Sequence, residues 1–131
     1  MRTETIFRAL ADPTRLRIMR LLGSMELAVG EVAQVLGQSQ PRVSRHIGIL
    51  CDAGLAERRR EGSWVFLRAC ANTNDAPPLS TAIADLLVKA EASDSQFAEE
   101  CELDRRRLAE IREHRENEAQ AYFSDHAHDW D

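Results

Sequence analysis

The apolar positions of this chain fall into short stripes at helical spacing, separated by residues that stop helices. Ile6, Phe7 and Leu10 predict a first helix of about two turns. Asp12-Pro13 starts a second. The carboxylate can accept orphan backbone N–H groups, and proline fits the first turn because no donor is needed there. That helix carries Leu16, Met19 and Leu22 and ends at Gly23. Val29, Val32, Ala33 and Leu36 repeat as a third amphipathic helix, closed by Gly37. Ser39 then offers an N-cap, and Pro41 a first turn, to a fourth helix that buries Val43, Ile47 and Leu50 and stops at Asp52-Ala53-Gly54. Residues 55–69, LAERRREGSWVFLRA, read as a strand, a turn at Glu61-Gly62 and a second strand. Residues 71–80, ANTNDAPPLS, have the composition of a linker. Beyond it Ile83, Leu86, Leu87 and Ala90 form one stripe. A long charged helix follows from Ser95 to about Phe123, with Phe97, Cys101, Leu108 and Ile111 on one side. Its other positions are too polar for a dimer zipper.

Two helices joined by a short turn that contains Gly37 make a helix-turn-helix, and a hairpin directly behind the second makes its wing. The predicted fold is mostly α with a two-stranded β wing, a winged helix-turn-helix with additional C-terminal helices. Residues 1–92 are read as the winged helix-turn-helix domain, and 93–131 as a charged helix and tail.

The fourth helix has a second face that core packing does not explain. Ser39, Gln40, Arg42, Ser44, Arg45 and His46 all carry hydrogen-bonding side chains. Arg pairs bidentately with guanine and Gln with adenine in a major groove, and Ser can serve bases or phosphates. Gln40, Arg42 and Val43 lie near the N-terminal end, which reaches base edges in such motifs. His46 is read either as a phosphate contact or as packing beside Trp64. Arg58, Arg59 and Arg60 at the hairpin tip are read as phosphate or minor-groove contacts, although strand alternation lets only some of them face DNA together. The same alternation puts Trp64 and Phe66 on one face, expected to pack against the helices.

Charge fits this picture once it is divided. The 131 residues carry a net −5, but residues 1–70 hold 11 Arg against 7 Asp/Glu and the remainder is strongly acidic. No apolar run approaches a membrane span and the start lacks a secretory signal, so a soluble, cytoplasmic protein without membrane partners is expected. Cys51, Cys70 and Cys101 are too widely spaced for a disulfide framework or zinc ribbon and are read as core residues. Arg105, one turn beyond Cys101, could lower that thiol's pKa modestly. His114, His126 and His128 are not expected to form a metal site.

The stretches RALADPTRLRIMRLL, VGEVAQVLGQSQPRVSRHIGILCDAGL and RRREGSWVFLRA, in unbroken order over roughly residues 5–70, resemble the ArsR-type winged helix-turn-helix repressors. The resemblance implies a homodimeric, non-enzymatic transcriptional repressor that holds double-stranded operator DNA and releases it to an effector, here unidentified. It also implies a dimer interface built by the first helix and the helix around 83–90. Ile6, Leu10, Ile83, Leu86, Leu87 and Ala90 are the residues expected there, and Ile6, Leu10, Leu86 and Leu87 are expected in a two-fold interface rather than the monomer's own core. The arsenic and cadmium sensors of this family carry a Cys-Val-Cys pair, and the matching positions here are Ala28 and Gly30, which cannot bind metal. The interface helix has no His for the family's other site, so neither metal nor cofactor is expected. The tail EAQAYFSDHAHDWD is similar to the segment that, in one subgroup, leads to an S-adenosylmethionine-dependent methyltransferase domain. That resemblance makes the region of a methyltransferase fusion, with sensing in a missing domain, one alternative reading, and a thiol-based redox-sensing repressor another. The rear half is judged to offer too few apolar residues to line a pocket.

Overall fold

The computed structural model describes residues 2–127, with the side chains of residues 119 and 121–127 left aside. Its order is α1 (Thr3–Leu10), α2 (Pro13–Ser24), β1 (Leu27–Ala28), α3 (Val29–Leu36), α4 (Gln40–Asp52), β2 (Ala56–Glu61), β3 (Trp64–Ala69), a 3₁₀ turn (Cys70–Asn72), α5 (Pro78–Ser93) and α6 (Ser95–Ala127). The punctuation in the sequence sets the boundaries. Asp12 accepts a hydrogen bond from the Arg15 amide at 3.0 Å and caps α2 above Pro13. Gly37 closes α3 in the left-handed region at φ 64°, a conformation that a side chain disfavours. Ser39 caps α4.

The expected wing is present, and it belongs to a three-stranded antiparallel sheet of order β1-β3-β2. The third strand is Leu27–Ala28, paired with Leu67 and Phe66. Two residues are too few to show an alternation, so the sequence carried no sign of it. The face of β3 is also the reverse of that expected. Leu67 and Ala69 are the buried residues, whereas Trp64 is 63% exposed and Phe66 half-buried. Trp64 and Phe66 share a face, but it is the outer one. Leu67 and Ala69 are small enough to lie under the helices, and Phe66 instead carries the Arg59 guanidinium 5.3 Å above its ring.

One core joins all the layers. Ile18 and Leu22 of α2, Val32 and Val35 of α3, Val43, Ile47 and Leu50 of α4, and Leu67 of β3 are almost completely buried. Each such side chain contributes about 1.5–3 kcal/mol of burial free energy. Ile6 and Leu10, with Ile83 and Leu87, belong to this same core. The expectation that they lie in a two-fold interface rather than in the monomer is therefore corrected: α1 and α5 use those positions to dock on their own chain. Phe7 of α1 and Leu79, Leu86 and Val88 of α5 are exposed apolar residues, and Ala90 is half-buried.

The break at 92/93 falls where α5 gives way to α6, but packing crosses it. Phe97, Cys101 and Leu108 of α6 are buried, and Leu108 joins the core. Arg17 of α2 donates to both carboxylate oxygens of buried Asp104, and the half-buried Arg105 pairs with Glu91 of α5.

Candidate nucleic-acid interface

The local sequence of α4 divides it cleanly. Val43, Ile47 and Leu50 face inward at 0–1% exposure, whereas Ser39, Gln40, Arg42, Ser44 and Arg45 are exposed. Val43 was also counted among base-reading residues. Its complete burial removes it from that set, because the side chain is consumed in anchoring the helix. Arg42 and Arg45, three apart, share an outward face.

The frame behind this face is tightly tied. In the turn between α3 and α4, the Gln38 amide nitrogen donates to Thr14 Oγ at 3.2 Å and fastens the turn to the start of α2. Glu31, 5% exposed, accepts from the Ala28 amide at 3.0 Å and closes the first turn of α3. His46 is half-buried. Its Nδ1 lies 3.2 Å from Arg15 Nη1 and 3.9 Å from the Asp12 carboxylate. Arg15 also donates to the Ala9 carbonyl at 2.6 Å, so His46 joins α4 to the corner between α1 and α2. Gln38, Thr14 and Arg15 were not singled out from the sequence. Their role depends on contacts across 24 and 31 residues.

The three wing arginines have different surroundings. Arg59 lies over Phe66, is half-buried and donates to both oxygens of Glu26, at 2.7 Å at the shortest, and to Glu61 at 3.2 Å. Those bonds hold the Glu26 carboxyl below its usual range and occupy the guanidinium. Arg58 and Arg60 are exposed. Among the described residues, Arg42, Arg45, Arg58 and Arg60 have no ion-pair partner. Because α4 runs through Gly54 (φ 76°) into β2, the two pairs of arginines belong to consecutive, packed elements. Unneutralised arginines above a rigid frame suit a polyanion.

The thiols are not activated. Burial raises the pKa of Cys51 and Cys70. Burial, with Glu91 accepting a hydrogen bond, pushes Cys101 up to about 12. The lowering expected from Arg105 is present but is outweighed by burial and by Glu91, to which that guanidinium is bound. Among the described residues no three His, Cys, Asp or Glu side chains converge as a metal site. His114 pairs with Glu118 at 3.0 Å, and His128 lies outside the described residues, as does most of the side-chain detail of the tail 118–131. No described helix is long and apolar enough to cross a membrane.

Comparison with known proteins agrees with this geometry. The profile described as "Bacterial regulatory protein, arsR family" matches residues 12–58. The arsenical resistance operon repressor of Escherichia coli K12 is 45% identical over 64 residues, covering 48% of this chain and 55% of that protein. An HTH-type transcriptional regulator of Methanocaldococcus jannaschii is also 45% identical over 64 residues, 47% of this chain and 70% of its own. The chain thus spans about half the length of the arsenic-resistance regulators it matches. The solved homodimeric winged helix-turn-helix DNA-binding domain of a possible ArsR-family regulator from Mycobacterium bovis superposes with a TM-score of 0.57 at 29% identity. It covers 71% of this chain and 80% of that domain.

Proposed function

The chain belongs to the arsR family of bacterial regulatory proteins, and we propose that it is a homodimeric, sequence-specific repressor of transcription that reads operator DNA with α4. The observation that carries this reading is the outward face of α4. Arg42 and Arg45 stand there without a partner among the described residues, on a helix whose inner face is fully buried. Ser39, Gln40 and Ser44 complete the base-reading set, and Arg58 and Arg60 hold phosphates from the wing. Two copies related by a two-fold axis present their α4 helices to successive major grooves about 34 Å apart. The relatives named above are regulators rather than enzymes, and the working place of such a protein is the cytoplasm.

The effector in this reading is not a thiolate-bound metal, because Ala28 and Gly30 offer a methyl group and a hydrogen where two sulfur ligands are needed. A thiol switch has weak support, since burial raises the pKa of all three cysteines. The reading of 118–131 as a connector to a methyltransferase domain rests on that segment alone, and none of the relatives named above is described as one.

The test is selection of bound duplexes from a random library by the purified chain. Enrichment of an inverted repeat, lost in the Arg42→Ala/Arg45→Ala variant, is the expected result. Recovery of unenriched DNA, or an unchanged selection by that variant, rejects the proposal.

A further inference from the structure

Between α2, α5 and the 3₁₀ turn lies a cavity of about 600 Å³ that the DNA-binding reading does not use. This size is within the range of small-molecule sites. Met19, Leu55, Ala69 and Leu87 supply apolar walls. The expectation that the rear half has too few apolar residues for a pocket overlooked this arrangement, in which the front half provides three of those four walls.

Two polar groups distinguish the cavity from a packing flaw. Ser80 lines it, is 4% exposed, and its Oγ has no hydrogen-bond partner among the described residues. A buried hydroxyl without a partner costs free energy, which a ligand atom recovers once the Ser80 side chain turns into the cavity. Arg20 lines the same space. Its Nε donates to Glu91 at 3.1 Å, leaving both terminal nitrogens without a partner among the described residues. Glu91 also receives two bonds from Arg105, each 3.0 Å, so it does not neutralise Arg20 alone. Asp85, the acid on the lining, is paired with Lys89 at 3.3 Å. The walls are fixed before any ligand arrives. Asn72 donates to the last carbonyls of α2 at 3.1 and 3.2 Å, and the Cys70 amide to the Leu55 carbonyl at 3.0 Å.

We propose that this cavity binds a small amphipathic carboxylate, with its apolar body against Met19, Leu55 and Leu87, its anionic head on Arg20 and a polar atom on Ser80. A second copy of the chain is the poorer occupant. Of the three exposed apolar residues of α5, Leu79 and Leu86 are seven apart and share one side, whereas Val88 lies roughly half a turn round with Thr81 and Ala84 of the cavity. Leu55 lies three residues beyond the end of α4 and its amide donates to the Leu50 carbonyl at 3.0 Å, so a bound molecule touches the support of the helix proposed to read DNA.

The experiment is an amide NMR titration of the free full chain with naphthylacetate and its neutral amide, which makes it independent of any DNA activity. Saturable shifts at Gly23, Ala71, Ser80 and Ala84 are expected, with the acid bound more tightly. Arg20→Gln should weaken the acid roughly tenfold and leave the amide unchanged. Ser80→Ala should weaken the ligand about fivefold while raising the thermal midpoint of the empty protein. A merely structural serine would not move in both directions. Ala84→Phe should fill the space and abolish binding, with sedimentation unchanged from the parent. No saturable shifts at millimolar probe, equal affinity for acid and amide, or binding that survives Ala84→Phe overturns the proposal. Loss of a dimer in Ala84→Phe also overturns it, since the cavity is then an interface.

Discussion

Arg17 of α2 and Asp104 of α6 form a two-pronged ion pair, with bonds of 2.9 and 2.7 Å, although 87 residues separate them in the chain. Asp104 is 1% exposed, and this guanidinium is its ion-pair partner among the described residues. Removing one partner of a buried pair leaves an uncompensated charge. Arg17→Ala, which strands the Asp104 carboxylate, should therefore cost about 3–5 kcal/mol of unfolding free energy in urea titrations. Arg17→Met with Asp104→Leu, which removes both charges, should recover most of it.

Glu91 sets an acid limit on the same assembly. Bonds from Arg105, and then Arg20, lower its carboxyl from 4.5 to about 2 against the opposing effect of burial. A lowered carboxyl contributes its full stability above the unfolded value and loses it as pH falls. The window is thus pH 4.5 down to about 2, with at most about 3 kcal/mol at stake. Glu91→Gln should be less stable at neutral pH and should flatten stability against pH across that window. A parallel, equally steep curve would show that Glu91 is not the titrating group.

The wing arginines should separate by salt dependence. Arg58→Ala or Arg60→Ala should weaken all DNA sequences alike and reduce the salt slope by roughly one unit each. Arg59→Ala should leave that slope unchanged, because its guanidinium is held by Glu26 and Glu61, and should instead loosen the wing. Arg42→Ala should cost ~1–3 kcal/mol and relax preference at one base position. Filter-binding at several salt concentrations distinguishes the three patterns.

Assembly should respond to exposed positions only. Phe7 and Leu86 are 58% and 52% exposed. Phe7→Glu and Leu86→Glu should give folded monomers with weak DNA binding. Ile83→Glu should unfold the chain instead, since Ile83 is 5% exposed in the monomer. Sedimentation and circular dichroism together report both outcomes.

Arsenite, cadmium and zinc should fail to release the protein from DNA at micromolar concentrations, in the parent and in the triple Cys→Ser variant alike. Alkylation should tell the same story. With burial raising all three thiols, and Cys101 up to about 12, native protein at neutral pH should react with iodoacetamide far more slowly than unfolded protein. Cysteine-dependent release by any of these ions would contradict the assignment of Ala28 and Gly30 as an empty pair.

Much of the fold was legible because it is written in local punctuation. Asp12-Pro13, Gly37 and Ser39 each act within one turn of their own helix, and the helices begin and end there. The polar face of α4 was visible for the same reason. What escaped was set at a distance. Asp104 sits among Glu and Arg on a charged helix, where nothing local tells a buried carboxylate from a solvated one. His46 and Arg59 carry the same chemistry whether they meet DNA, Asp12 or Glu26. The face of β3 was decided by which of two apolar rows fits beneath the helices, and a two-fold alternation is silent on that choice.

The reach of α6 has a consequence measured in time. During synthesis Arg17 emerges with α2, but its partner is made 87 residues later. At about 5–20 residues per second, Arg17 waits roughly 4–17 s for that carboxylate. In the later part of that interval, once α4 has ended at Asp52, the nascent chain has α3 and α4 but not the helix that ties them down, since Arg107 on the Val35 carbonyl and Arg115 on Glu31 also come from α6. The helix-turn-helix thus acquires its final rigidity only when the far end of the chain has been translated.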